Sequence, residues 1–163
     1  MFVITTTTGK MSRQPRSARV PLPLQDQAFI ALQKTADALG QQVEQVLKAS
    51  GLTSAQYNVL RILRGAEPEG LACSDIGERM ISHDPDMTRL LDRMEKHGLI
   101  TRQRQTDDRR VIKTRITSKG LESLRRLDQP IRDLHRRQFS HISAARLKGL
   151  AVLLEEIRRP LAQ

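Results

Sequence analysis

The chain has 163 residues, which is enough for one domain with a hydrophobic core and short for two. Its formal net charge of +10 indicates an acidic partner, or else a basic surface that is only well solvated. Its scarce aromatic residues argue against single-stranded nucleic acid, which is bound by base stacking. Cys73 is the only cysteine, which excludes an internal disulfide, and no apolar run is long enough to cross a bilayer. We therefore expect a cytoplasmic protein without a membrane partner.

The first part of the chain is predicted to be a flexible arm followed by a long helix. Residues 1–23 carry basic residues and prolines but no acid, a composition that does not form a core. This arm either contacts nucleic acid or a second subunit, or is a disordered leader, which the usual disorder of chain termini favours. From Leu24 to Ala49, apolar residues recur at helical spacing along one narrow stripe, which is typical of a helix that packs internally or on another chain.

Two short helices are predicted next. The stretch LTSAQYNVLRIL (52–63) opens with Thr53 and Gln56, which are spaced to form a capping box. After a loop at 65–70, a third helix is predicted from Ser74 to Met80. Cys73 lies at its start, where it is either a redox-sensitive thiol or a small residue packed near a turn. The second interpretation is favoured because no resolving partner for an oxidised thiol lies nearby in the sequence.

The fourth predicted helix begins at Asp84 and Pro85. Aspartate is a favoured N-cap, and proline is a favoured first helical residue. Apolar residues at helical spacing form one face of this helix, and Gly98 ends it. The opposite face exposes the polar and charged residues Asp86, Thr88, Arg89, Asp92 and Arg93.

Residues 100–117 change to a two-residue period, which predicts a β-hairpin. On the return strand Ile112, Thr114 and Ile116 share one face, while Lys113 and Arg115 share the other. The polar stretch QTDDRR joins the two strands. Two short helices, a helix with a basic exposed face and a basic hairpin, in this order, indicate a mainly α winged helix-turn-helix fold.

Two more predicted helices complete the chain. The first follows Thr117, and Ser143 caps the second. Both carry long apolar stripes that the winged domain does not need, and a symmetric dimer supplies their partner. The predicted organisation is therefore a basic arm at 1–23, a dimerisation helix at 24–50, a winged helix-turn-helix domain at 52–118 and C-terminal dimerisation helices at 119–163.

Three motifs of the chain resemble the MarR family of bacterial transcription regulators, and the resemblance covers residues 24–160. The motifs are LTSAQYNVLRIL, MTRLLDRMEKHGLITR and DDRRVIKTRITSKG, of which the last two are similar to the family's recognition helix and Asp-Arg-Arg wing. The resemblance implies a homodimer on a palindromic DNA site. It also implies a repressor released by a small, often aromatic, anion or by oxidation of a cysteine.

The sequence departs from the family pattern in three places. Its first helix lacks the cysteine that senses oxidation in some members. The glutamate common at the start of the last helix is absent, and SAARL stands there instead. The residues SHDPD before Met87 are more acidic than usual, which leaves the base preference open.

The resemblance implies that the helix after Pro85 reads the major groove of DNA. Its exposed face offers Thr88, Arg89 and Arg93, and arginine reads guanine through two parallel hydrogen bonds. His83 and Asp84 precede the helix and are further candidates for a contact to base or phosphate. The candidates for phosphate contacts that position the domain are Arg102, Arg104, Lys113 and Arg115.

Two aspartates at the tip of a basic hairpin need an explanation. The resemblance places Asp108 and Arg110 as the family's paired Asp-x-Arg, with Arg109 between them. An aspartate two residues before an arginine on a tight tip can accept its hydrogen bonds, which reduces the entropy lost on binding. Either Arg109 or Arg110 then enters a narrow minor groove, where the potential is most negative.

A small-molecule effector is expected where the dimer helices meet the winged domain. Tyr57 and Arg61, one helical turn apart, and Phe29 on the first helix are candidates for its site, unless the two aromatic residues are core. No cofactor, metal site or enzymatic arrangement of residues is predicted. The alternatives are an architectural protein that binds double-stranded DNA without sequence preference, and a redox-responsive regulator that uses Cys73.

Overall fold

The computed structural model describes residues 21–82, 86–104 and 112–162. Within these ranges the fold is mainly α with one two-stranded antiparallel sheet, which confirms the predicted fold class. The elements are α1 (Leu24–Lys48), α2 (Ser54–Arg64), α3 (Cys73–Arg79), α4 (Met87–Lys96), β1 (Ile100–Arg104), β2 (Ile112–Ile116), α5 (Ser118–Gln138), α6 (Ala144–Arg158) and a final 3-10 turn (Arg159–Ala162). In the described part of the chain, no helix has the length and apolar character needed to cross a membrane.

The described part of the chain divides within α1, after Lys34, into two units. In the first unit the side-chain amide of Gln27 donates a hydrogen bond of 2.6 Å to the carbonyl oxygen of Leu22 at the start of α1. The apolar residues Leu24, Phe29 and Leu32 of this unit are exposed. In the second unit α1 continues to Lys48, and its Leu47 is fully buried.

The hydrophobic core of the second unit joins helices that are distant in sequence. Leu60 and Leu63 of α2, Ile76 of α3, and Leu124 and Leu127 of α5 are buried together in one cluster. The same cluster includes Leu90, Leu91 and Met94 of α4. Full burial of one such side chain stabilises a fold by about 1.5–3 kcal/mol, so this cluster holds α4 in place.

The helix starts test the predicted caps. At α2, Thr53 and Gln56 form the predicted capping box, with reciprocal hydrogen bonds of 3.2 and 3.0 Å. At α4, the predicted start at Asp84 is wrong, because Asp86 is the N-cap and accepts a hydrogen bond from the backbone N–H of Arg89. Both aspartates suit an N-cap, and the helix begins at Met87, whose side chain packs against the core.

The hairpin was predicted correctly in outline, and the structure adds a short third partner. Ile100 pairs with Ile116 and Arg104 with Ile112, in an antiparallel register. Thr114, which is 1% exposed, exchanges two backbone hydrogen bonds with Leu71 in the segment between α2 and α3. The face predicted to carry Ile112, Thr114 and Ile116 is buried at Thr114 and Ile116, whereas Ile112 is 43% exposed.

The last helix, α6, has no buried residue in this chain, although Ser143 caps it as predicted. Leu150, Leu153, Leu154 and Ile157 of its apolar face are exposed, and Leu147 is half-buried. An amphipathic helix is stabilised in proteins mainly by packing of its apolar face. The part of the chain that the structure describes therefore leaves most of this apolar face unpacked.

Gly120 should be essential for packing α5 onto the hairpin. A Cβ atom at this position would collide with the carbonyl oxygen of Leu99 and would lie 2.8 Å from Cγ1 of Ile116. We expect Gly120→Ala to lower the free energy of unfolding by about 1–3 kcal/mol, because overpacking outweighs the better helix propensity of alanine. Gly77→Ala in α3 is the control, since its Cβ meets nothing within 4 Å. In denaturant titrations the free energy of unfolding of this control should rise by roughly 0.5–1 kcal/mol. Equal changes in the free energy of unfolding for the two variants would contradict the close packing at Gly120.

Candidate nucleic-acid interface

The exposed face of α4 carries the residues predicted to read bases. Thr88, Arg89 and Arg93 are exposed, as the helical spacing predicted, while Leu90 and Leu91 are buried on the opposite face. The N-cap Asp86 also forms an ion pair of 3.2 Å with the guanidinium of Arg89, whose side chain remains 81% exposed. The aspartate thus restrains this arginine without removing it from solvent.

The four basic residues of the hairpin strands fall on two different faces. Cross-strand partners share a face, and the register pairs Gln103 with Lys113 and Arg102 with Thr114. Lys113 and the exposed Arg115 therefore lie on the outer face, where Arg115 approaches the side-chain oxygen of Gln103 at 3.4 Å. Arg102 lies on the face that carries the buried Thr114, and Arg104 shares this face but is exposed.

Arg102 differs from the other basic residues, because its guanidinium is held by two carboxylates of α4. Its Nε and Nη2 donate to Oε2 of Glu95 at 2.9 and 2.7 Å, and Nη2 lies 2.6 Å from Oδ1 of Asp92. The backbone N–H of Arg102 also donates to Oε1 of Glu95 at 2.9 Å. These hydrogen bonds hold the pKa of Glu95 below its ordinary value. The sequence offered one signal of this arrangement, two acids spaced three residues apart on one helix.

Five of the predicted DNA-binding residues lie outside the described residues. They are His83, Asp84, Asp108, Arg109 and Arg110. The choice between Arg109 and Arg110 for the minor groove therefore stays a prediction, as does the support that Asp108 gives to either one.

A polar cavity of about 180 Å³ lies between α2 and α5. It brings together two predicted effector residues, since Tyr57 and Arg61 both line it and the guanidinium carbon of Arg61 lies 5.9 Å from the centre of the Tyr57 ring. The other lining residues were not predicted from the sequence; they are Arg64, Asp128, Ile131, Arg132 and His135. Most of these come from α5, far along the chain. Phe29, the third candidate, belongs to the first unit and is 62% exposed.

The cavity wall contains a bidentate ion pair. Nη1 of Arg64 donates to both carboxylate oxygens of Asp128, at 3.0 and 2.9 Å, and Nη2 donates to Oδ1 at 3.0 Å. These hydrogen bonds hold the pKa of Asp128 below its ordinary value. Because the carboxylate of Asp128 is committed to Arg64, the nearby guanidinium groups of Arg61 and Arg132 give the cavity an excess of positive charge.

Cys73 is exposed and is the first residue of α3.

Known proteins resemble the chain in sequence and in fold. Residues 52–112 match the sequence model of the MarR family. The homoprotocatechuate degradative operon repressor of Escherichia coli is 29% identical over 133 residues, which cover 82% of this chain and 88% of the repressor. The crystal structure of a MarR transcription factor from Planctomyces limnophilus superposes on this chain with a TM-score of 0.63 and 37% sequence identity. The alignment covers 84% of this chain and 98% of that protein.

One further structure is similar in fold alone. It is the organohalide-sensing transcriptional regulator RdhR-CbdbA1625 in its 2,4-dichlorophenol bound form, with 15% identity and a TM-score of 0.80. The alignment covers 95% of this chain and 90% of that regulator.

The Arg64–Asp128 pair predicts a pH-dependent contribution to stability. Because folding lowers the pKa of Asp128, the contribution is fully present above the unfolded pKa of about 3.9 and is lost as pH falls through the lower folded value. We expect Asp128→Asn to cost about 1 kcal/mol at neutral pH, a value that allows for solvent screening of this partly exposed pair. Asp133→Asn is the control, since it removes the same charge from an exposed pair on α5. Unfolding titrations between neutral pH and pH 3 should show the Asp128→Asn deficit shrinking in acid, and a constant deficit would contradict the assignment.

Proposed function

Because the chain belongs to the MarR family of DNA-binding transcriptional regulators, we propose that it is a homodimeric repressor that binds an inverted-repeat operator and releases it when a small aromatic anion binds. The observation that carries this proposal is that α4 buries one apolar face and exposes Arg89 and Arg93 on the other, next to a basic hairpin. The proposed partners are double-stranded DNA, a second copy of the chain and a small molecule.

In this proposal α4 enters the major groove. Arg89 and Arg93 are the readers of base edges, since a guanidinium can donate two parallel hydrogen bonds to guanine. Thr88 contacts a base or phosphate beside them, and His83 and Asp84 add a contact ahead of the helix. The ion pair with Asp86 supports the role of Arg89, because a restrained side chain loses less entropy on binding.

The hairpin acts as a wing beside the recognition helix. We assign either Arg109 or Arg110 to the minor groove, with Asp108 as the acceptor that orients it. Arg104, Lys113 and Arg115 contact phosphates and so position the domain on the duplex. The exposure of Arg104 and Arg115 supports this assignment.

The exposed apolar face of α6 supports the homodimer. A helix with no buried residue in its own chain requires a partner surface, and a second copy offers an identical apolar face through a two-fold axis. The exposed apolar residues of α1 also favour burial against a partner surface. We therefore propose that the dimerisation segments 24–50 and 119–163 supply the interface through the exposed apolar residues of α1 and α6, and that residues 52–118 bind DNA.

The cavity between α2 and α5 is the proposed effector site. Its excess of guanidinium groups favours an anion, and the Tyr57 ring and Ile131 offer apolar surface to an aromatic ring. Two similar proteins point to the same chemistry, one by its role in a homoprotocatechuate operon and one by its bound dichlorophenol. An effector releases DNA only if it binds the DNA-competent and DNA-incompetent states with different affinities.

Footprinting on DNA that flanks the gene of this protein tests the function. We expect protection of an inverted repeat whose half-sites lie about one helical turn, or roughly 34 Å, apart, because a two-fold dimer presents two recognition helices at this spacing. Equal affinity for the flanking DNA and for random duplex at matched salt would instead support an architectural protein without sequence preference.

The same operator tests the individual residues. Arg93→Ala should weaken operator binding by about 1–3 kcal/mol, the effect of losing a base contact. Arg136→Ala on α5 removes the same charge from an exposed ion pair and should leave binding nearly unchanged.

A loss of operator binding of the same size is expected for Arg109→Ala or Arg110→Ala, and wild-type affinity in the double variant would refute the wing assignment. Asp108→Ala should also weaken binding, although it makes the protein more positive.

The effector site can be tested with homoprotocatechuate and 2,4-dichlorophenol as probes of DNA release. We expect Arg61→Ala to raise the concentration needed for release roughly tenfold or more, because a hydrogen bond to a charged group is lost. Arg137→Ala is the control, since Arg137 lies on α5 outside the cavity lining. Identical release curves for both variants would exclude this cavity as the effector site.

A further inference from the structure

We propose that Arg102 is a positioning residue, which clamps the wing hairpin to the recognition helix through Glu95 and Asp92, and that it is not a phosphate contact. The proposal rests on the proposed function, since it assigns α4 and the hairpin to two grooves of one duplex. A protein that binds two grooves of one duplex depends on the angle between its recognition helix and its wing. The contacts of Arg102 influence this angle, because they join β1 to α4.

The clamp holds both the backbone and the side chain of β1. One carboxylate oxygen of Glu95 accepts from the backbone N–H of Arg102, and the other accepts from its guanidinium. The carboxylate of Asp92, one turn earlier on α4, lies against the same guanidinium nitrogen. Charge-assisted hydrogen bonds of this kind are among the strongest that side chains form, and several of them here converge on one residue.

Among the described residues, the clamp is the second of two anchors between α4 and β1, while β2 is held separately by the backbone hydrogen bonds between Thr114 and Leu71. The first is the turn between α4 and β1, which the start of α5 holds in place: Thr117 Oγ1 donates to the carbonyl oxygen of Gly98 at 2.7 Å, and Lys119 Nζ donates to that of His97 at 2.8 Å. A strand fixed at one point can pivot about it, whereas a strand fixed at two points has a set direction. Arg102 lies farther along β1 and provides the second point.

The charges of the cluster argue against a phosphate contact at Arg102. One guanidinium and two carboxylates sum to a net negative charge on a surface that we propose faces DNA. A phosphate that approached Arg102 would also approach Asp92 and Glu95. The Arg102 side chain is only 27% exposed, against 81% for Arg89, so its donors face the carboxylates and not the solvent.

Variants that change one charge separate the two roles. Glu95→Gln removes a negative charge, so electrostatics alone predicts tighter binding to any duplex. If the clamp positions the wing, operator affinity should instead fall about 5- to 10-fold while affinity for a random duplex of equal length stays level or rises. Glu122→Gln on α5 is the control, since it breaks exposed arginine pairs with the same charge change. It should move both affinities equally.

Arg102→Lys provides an independent test. It keeps the positive charge but loses the fork that two carboxylates engage, so the clamp predicts a loss of operator preference close to that of Arg102→Gln. A phosphate contact predicts a different pattern, in which lysine is tolerated and Arg102→Gln lowers the salt dependence of binding by about one unit on both duplexes. This pattern, or a joint rise of both affinities in Glu95→Gln, would overturn the proposal.

Hydrogen exchange in the DNA-free protein separates failure of the clamp from failure of the proposed function. We expect the peptide that covers 100–116 to exchange faster in Glu95→Gln than in Glu122→Gln, because the second anchor is lost. A wild-type protein with no operator preference would refute the proposed function, and unchanged exchange in Glu95→Gln would refute the clamp by itself.

Discussion

Burial of one face of α4 is the constraint on which the rest of the structure depends. Leu90, Leu91 and Met94 insert into the core formed by α2, α3 and α5, so the orientation of α4 about its own axis is fixed. The opposite face, with Arg89 and Arg93, must then point to solvent. Because burial of each large apolar side chain contributes about 1.5–3 kcal/mol, rotating the helix to hide its arginines would be prohibitive.

Local signals were enough to predict most of the fold, and they failed where two positions satisfied the same rule. The Thr53–Gln56 capping box and the two-residue period of the hairpin involve neighbours in sequence, so they can be read without the core. At α4, aspartates on both sides of Pro85 suit an N-cap, and only the packing of Met87 identifies Asp86. The pairing of Leu71 with Thr114 joins distant segments and has no local signal.

The site was harder to predict than the fold, because its character depends on which charges meet in space. Arg102 and Arg115 look alike in the sequence of the hairpin, yet one binds two carboxylates of α4 and the other is exposed on the outer face. The proximity of Tyr57 and Arg61 could be predicted from the sequence because they lie one helical turn apart. The contact between Arg64 and Asp128 could not be predicted in this way, since tertiary packing of α2 against α5 brings the two residues together.

The structure also changes how the net charge of +10 should be understood. Arg64 and Arg102 are held by carboxylates within the fold, so they contribute to its geometry more than to an attraction for DNA. Each carboxylate on a DNA-facing surface weakens the attraction of phosphates, and its retention there requires a compensating structural effect. In the proposed interface, the hydrogen bonds of Glu95 to Arg102 would supply this effect by holding β1. The same reasoning applies to Asp86, which restrains Arg89 through an ion pair. The role proposed for Asp108, a carboxylate that orients an arginine, would then be shared by several acids of the proposed DNA-binding surface.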